Sequence, residues 1–272
     1  MTEPTLFEIL RSWSWQPVIL LGLAAAAVSY AYGFHYFRQH GWLEGMYQRG
    51  LIRRSQPWLF GGGLLAIFIA LLSPIDILSE LLFSFHMAQH ILLVMVAPPL
   101  LLLGLPAPFL RWSLVEARVR GILNAITDPV VAFALYNVNL WLWHIPALYQ
   151  AALRNELLHD LQHALFFYTA VLFWWRVLDP THGWFPLWGW PPAKWIYLMV
   201  AAPPSYILGS IFWASSAVYY PYYAEVVPRL WGLTALRDQQ IAGLIMWLHS
   251  WMYLMASMIA LYIRYEPEKE QV

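Results

Sequence analysis

Seven apolar stretches divide this chain of 272 residues, and they set its fold class before any motif is considered. They fall at roughly 17–37, 57–73, 82–103, 129–150, 157–178, 193–214 and 239–263, against about 20 residues needed for a helix to cross the hydrocarbon core. The runs are continuous and do not alternate, which predicts helices and argues against a β-barrel. Backbone groups in lipid must be satisfied within the protein. The expectation is therefore an all-α, polytopic membrane protein: one helical-bundle domain over 1–272 with seven transmembrane helices. Charged residues make up 11% of the chain, under half of the roughly 25% usual in soluble domains. Lys+Arg and Asp+Glu stand at 15 each, so no basic excess invites nucleic acid, and the lipid bilayer is the expected surrounding. The first apolar stretch lacks a basic leader and a small-residue cleavage signal, and is read as a retained span.

Orientation follows from the placement of Lys and Arg. One side of the seven-span arrangement receives Arg38, Arg49, Arg53, Arg54, Arg111, Arg118, Arg120, Arg176, Lys194, Arg264 and Lys269. The other receives only Arg11, Arg154, Arg229 and Arg237. The positive-inside rule puts the N-terminus outside and the C-terminus in the cytoplasm.

This topology sorts the nine histidines. His35, His40 and His182 fall on the cytoplasmic side, and His249 falls within the last span. His86, His90, His144, His159 and His163 gather at the outer rim, from three consecutive spans. His86/His90 and His159/His163 are each four residues apart, so each pair shares a helix face and both imidazoles can reach one ion. Pairs on neighbouring helices make a four-nitrogen metal site of the kind helix bundles build. With no cysteine in the chain, thiolate sites, iron–sulfur clusters and disulfides are excluded. Met87 adjoins His86, and Met246 lies at a depth similar to His90. Thioether with imidazole and no thiolate leans toward Cu(I). His144 and His249 complete a second tier of candidate ligands. Asp160 and Asp238 are placed to orient imidazoles as hydrogen-bond acceptors.

Other features have plainer readings. Met246, His249, Met252, Met255 and Met258 recur every three residues, a step that falls 60° short per turn, so the row winds around its helix and reads mainly as packing. The 17 Trp and 16 Tyr, Trp141, Trp143, Trp174, Trp175, Trp188 and Trp190 among them, read mostly as interfacial belts. Pro98-Pro99 and Pro203-Pro204 should kink their helices and leave carbonyls for neighbours to satisfy. Gly61-Gly62-Gly63 reads as a close-packing surface.

The motifs also carry a resemblance. Phe85-His86-Met87-Ala88-Gln89-His90, with Ala97-Pro98-Pro99 and Leu103-Gly104-Leu105-Pro106 after it, resembles the polytopic CtaG family of cytochrome c oxidase assembly factors, which serve caa3-type oxidases. So do Trp143-His144-Ile145-Pro146-Ala147-Leu148-Tyr149, His159-Asp160-Leu161-Gln162-His163 and the run from Asp238-Gln239-Gln240 to Met246-Trp247. At His249-Ser250-Trp251 the chain departs from that pattern, which has a Pro-Gly-like break there. The resemblance implies a non-enzymatic factor of the bacterial inner membrane that matures a haem–copper oxidase by handling copper. Oxidase subunits would be its partners, with a periplasmic copper donor upstream. On that reading His86, His90, His159 and His163 are the ligands at the periplasmic face, and Met87, Met246, His144 or His249 are exchangeable ones.

Two other readings stay open. A membrane haem b protein would use histidines of different helices as axial ligands, although spacing four residues apart on one helix suits a single ion better. A metal-free scaffold would hold oxidase subunits and use the histidines structurally. A zinc hydrolase is more remote, with only Asp160 or Glu80 to serve as general base.

Overall fold

The computed structural model describes residues 5–113, 117–178, 192–225 and 230–265, and regular structure among them is entirely helical. Nine helices position the site: α1 (Pro17–Gln39), α2 (Gln56–Leu72), α3 (Pro74–Leu81), α4 (Phe83–Gly104), α5 (Pro129–Trp143), α6 (Pro146–Arg154), α7 (Glu156–Leu178), α8 (Ala193–Ala214) and α9 (Ala235–Tyr265). By length and apolarity α1, α4 and α8 are able to cross a bilayer. The number rises to five if the bent pairs α2–α3 (45°) and Arg118–Ile126 with α5 (57°) each count as one span. Helices α7 and α9 have the length, 23 and 31 residues. They are less apolar because they carry Glu156, His159, Asp160, Gln162 and His163 in one case, and Asp238, Gln239, Gln240 and His249 in the other.

The stretch expected to span 129–150 is not one helix. It ends at Trp143, turns at His144-Ile145 and restarts at Pro146 as α6. Pro146 explains the break: proline disfavours helical geometry in the residue before it and cannot donate to the preceding turn. His182, Trp188, Trp190, Arg229 and Lys269 lie outside the described residues.

Proline also shapes α4. Pro98 has no N–H to give to the Val94 carbonyl four residues back, and α4 widens into a π-helical turn over Leu92–Val96 just ahead of it. The stranded Val94 carbonyl is taken by Trp174 Nε1 of α7, which donates at 3.0 Å. Pro74 repeats the problem for the Ala70 carbonyl, and Gln89 Nε2 of α4 donates to it at 2.9 Å. Each proline break is thus repaired by a side chain from another helix, and the repair fixes α4 against α2 and α7. Trp174→Phe keeps an aromatic ring but removes the donor together with part of the buried indole volume. It should cost about 1–3 kcal/mol, the penalty of an unsatisfied buried carbonyl, read as a lower melting temperature of the detergent-purified chain. In α8 the pair Pro203-Pro204 sits inside a helix that continues to Ala214.

Helices α8 and α9 pack at backbone distance. A Cβ on Gly209 would lie 2.7 Å from the Gly243 carbonyl oxygen, and a Cβ on Gly243 would lie 2.5 Å from that of Gly209. Around this contact Ser205 and Ser250 share a hydroxyl hydrogen bond (2.9 Å), and Trp247 Nε1 donates to Ser210 Oγ (3.0 Å). Small residues with interhelical hydroxyl bonds are the usual means of joining helices where lipid supplies no hydrophobic drive. Of the three consecutive glycines in α2, only Gly63 makes such an approach, to Leu101 of α4.

The aromatics divide differently from the belt expectation. Trp13, Trp15, Trp42, Trp58, Trp141, Trp213, Trp231 and Trp251 are exposed, but Trp143, Trp174 and Trp175 are buried, as are Tyr136, Tyr149, Tyr220, Tyr223 and Tyr253. Much of the aromatic content fills the interior around the histidines. The methionine row of α9 winds as its spacing predicts: Met246 is buried, whereas Met255 and Met258 are exposed.

Candidate metal centre

Helices α4 and α7 each bring a histidine pair to the same place, within two turns of their N-terminal ends. Spacing of four residues brings the rings of each pair together, with centroids 4.4 Å apart for His86/His90 and 4.2 Å for His159/His163. Across the two helices His86 lies 5.3 Å from His159 and 5.7 Å from His163, and His90 lies 5.2 Å from His163. One ring nitrogen from each of His86, His159 and His163 falls within 4.8 Å of the other two. That convergence is close enough for one ion to bind three imidazoles after small side-chain movements. His90 borders the group, and its ring also faces a separate small cavity on the other side.

The nitrogens themselves invite a ligand. Neither ring nitrogen of His86 makes a hydrogen bond, although the residue is fully buried. The Nε2 atoms of His90, His159 and His163 are also buried and unpartnered. Buried polar atoms are paired in the great majority of cases, and an orphan costs about 1–3 kcal/mol. Four orphaned imidazoles in one cluster fit a site that is completed by a cation. His159 is the least enclosed of the three converging residues and marks the way in.

The elements around the cluster are set by polar contacts. The Asp238 carboxylate of α9 accepts from the backbone N–H groups of Phe83 (2.7 Å) and Ser84 (3.1 Å). It thereby caps α4 from another helix, one turn before His86, where a negative charge also suits the helix dipole. Sequence reading expected Asp238 to orient an imidazole; these bonds give it the helix end. Asp238→Ala would orphan two buried amides, so a cost of about 1–3 kcal/mol is expected. The lower melting temperature of the purified chain would register it. Asp160, the other expected acceptor, stands exposed on α7. Asn155 caps α7 by accepting from Leu158 N–H at 3.0 Å.

Some functional neighbours escaped the sequence reading. Gln89, between the two histidines of α4, donates from Nε2 to Asp76 Oδ1 at 2.9 Å as well as to the Ala70 carbonyl. Its place inside the His-Met-Ala-Gln-His run was the available signal. Above His86 lies an aromatic cover. Tyr149 sits 5.3 Å from the His86 ring, stacks on Tyr220 at 4.1 Å, and shares a hydroxyl hydrogen bond with Tyr223 at 3.2 Å. Tyr223 donates to the Ser79 carbonyl (3.0 Å) and Tyr220 to the His144 carbonyl (2.9 Å). The cover shields the histidines from solvent and ties α3 and α6 together.

His144, Met87, Met246 and His249, the second tier of expected ligands, do not join the three-imidazole group. They collect with His90 around the neighbouring cavity. His144 caps the end of α5, with Nδ1 2.6 Å from the Leu140 carbonyl. A carbonyl only accepts, so Nδ1 carries the proton and Nε2 holds a free lone pair. His249 Nε2 lies 3.1 Å from the Tyr136 hydroxyl.

A helical bundle with several bilayer-compatible helices and a buried, unpartnered histidine cluster is the class that this fold and site define. The chain belongs to the cytochrome c oxidase caa3 assembly factor family (Caa3_CtaG), whose profile matches residues 28–266. Two relatives, the uncharacterized proteins Mb0105 of Mycobacterium bovis and MT0111 of Mycobacterium tuberculosis, are each 27% identical over 270 residues. The match covers 90% of this chain and 38% of each relative, so the chain spans well under half the length of the curated proteins it matches. No solved structure matches it.

Proposed function

We propose that the chain serves assembly of a caa3-type cytochrome c oxidase by binding copper at the His86, His159 and His163 cluster, with His90 beside it, and passing it to an oxidase subunit. One observation carries the reading: three imidazoles from two helices converge with their buried nitrogens unpartnered. Imidazole donors without thiolate suit copper, and membership of the oxidase assembly family supplies a recipient that needs it. Copper here is cargo, and a three-nitrogen set with one half-open member suits a protein that must release what it takes. The chain would sit in the bacterial inner membrane with seven spans, N-terminus outside and C-terminus inside. The positive-inside asymmetry supports that orientation and with it a periplasmic cluster, loaded by a periplasmic donor.

Copper is favoured over haem on grounds of space. The cavity beside the cluster, which of its histidines only His90 lines, has a volume of about 20 Å³, far below that of a porphyrin. The scaffold reading leaves the orphaned nitrogens without a purpose.

The test is anaerobic Cu(I) loading of the detergent-purified chain, followed by metal analysis and optical absorption. The expected result is a nitrogen-bound copper that is lost in His86→Ala/His163→Ala, whatever other copper the chain holds, with no Soret band. Unchanged copper in that variant would move the site elsewhere, and a Soret band on purification would move the case to haem.

A further inference from the structure

Next to the three-imidazole group, and one turn further along α4, lies a small cavity of about 20 Å³. Met87 and His90 of α4, His144 at the end of α5, and Met246 and His249 of α9 all face it. A space needs roughly 10–15 Å³ to hold one water molecule, so this one takes a single small occupant. Its chemistry discriminates among occupants. A buried water needs two to four hydrogen-bonding partners; the imidazoles offer nitrogens to one, but the two thioether sulfurs are weak acceptors and add little. Two thioethers beside imidazoles are instead a soft donor set of the kind that selects Cu(I). Among the described residues no carboxylate lines the cavity, which disfavours a hard cation such as magnesium or calcium.

The donors are also prepared. Met87 and His90, three residues apart, share one face of α4. The Leu140 carbonyl fixes the tautomer of His144 so that Nε2 presents its lone pair, and that buried atom has no partner. His90 Nε2 is buried and unpartnered as well. Met87, Met246, His90, His144 and His249 are each at least 94% buried, so none of them is held there by access to water.

We infer that this cavity is a second, thioether-containing Cu(I) site, distinct from the three-imidazole cluster and sharing His90 as a wall with it. The inference rests on the copper reading above for the identity of the cation, and on the cavity and its orphaned nitrogens for the site.

The experiment uses the full detergent-purified chain loaded anaerobically with Cu(I), with copper counted per chain and its ligands read by X-ray absorption. Met87→Leu/Met246→Leu removes both sulfurs while nearly conserving volume, an exchange cores tolerate well. His86→Ala/His163→Ala addresses the outer cluster alone. Two copper ions are expected in the wild type, with sulfur in the averaged ligand shell. The methionine variant should keep one, bound by nitrogen only, and the histidine variant should keep one that retains sulfur. A single copper without sulfur in the wild type would leave the cavity to a water and overturn the inference. So would a methionine variant identical to wild type in stoichiometry and spectrum. Copper unaffected by His86→Ala/His163→Ala but lost with the methionines would instead overturn the outer site and leave the inner one standing.

Discussion

His86→Ala/His163→Ala is expected to reduce caa3-type oxidase activity to that of a strain lacking this chain, with the variant still present in the membrane at wild-type amount. The pair is chosen because it takes one imidazole from each helix, leaving His159 as the sole member of the converging group. A single imidazole does not hold copper against competing donors. The substitutions should spare the fold for a specific reason. Removing a hydrogen-bonded buried group orphans its partner, but both nitrogens of His86 and the Nε2 of His163 have no partner to orphan. The remaining cost is the space left by the rings. His86→Gln/His163→Gln fills much of that space with side chains that are poor copper ligands, and should be equally inactive. Oxidase activity retained in both variants would sink copper delivery and favour a scaffold. Activity lost together with the protein itself would show instead that the imidazoles hold the bundle together, which the Gln variant would then be expected to repair in part.

The gathering of the four histidines was legible because helical periodicity alone puts residues four apart on one face, and α4 and α7 obey it at His86/His90 and His159/His163. Proline chemistry was equally readable: Pro98 strands the Val94 carbonyl wherever it occurs in a helix. That Trp174 repairs it was not readable, because the donor is 80 residues away. The same limit explains Asp238. At the rim it looked like a partner for imidazole, but its bonds to Phe83 and Ser84 join positions 155 and 154 residues apart, and only the packing of α9 on α4 brings them together. The division of the candidate ligands into two groups was hidden for a related reason. Sequence gives depth along each helix but not rotation between helices, so Met246 and His144 looked as near to His86 as His163 does. The buried aromatics, Trp174 and Tyr149 among them, were not told apart from the exposed ones, because tryptophan and tyrosine suit a membrane interface and a buried core with a polar partner equally well.

Gly243→Val should produce the largest loss of stability of any single substitution in the α8–α9 pair. The added Cβ would meet the Gly209 carbonyl oxygen at 2.5 Å and the Trp213 backbone nitrogen at 2.7 Å. Both obstacles are backbone atoms, so no side chain is free to rotate away, and the helices must part. Overpacking costs typically about 1–3 kcal/mol, and parting the helices adds to this by stretching the Ser205–Ser250 and Trp247–Ser210 bonds. Taken at the upper end, this corresponds to a fall of roughly 6–12 °C in the melting temperature of the purified chain. Gly61→Ala is the control. A Cβ there meets nothing within 4 Å, so the helix should gain by about 0.5–1 kcal/mol from the lost freedom of glycine. The functional effect should be selective, because Met246 follows Gly243 by less than one turn and His249 by less than two. Moving α9 outward opens the thioether cavity directly, whereas it reaches the imidazoles of α4 only through the Asp238 bonds at the helix end. Copper bound through sulfur should therefore weaken in Gly243→Val before copper bound through nitrogen does. A melting temperature equal to wild type would mean that the two helices do not approach at backbone distance, and the selective loss would have no cause.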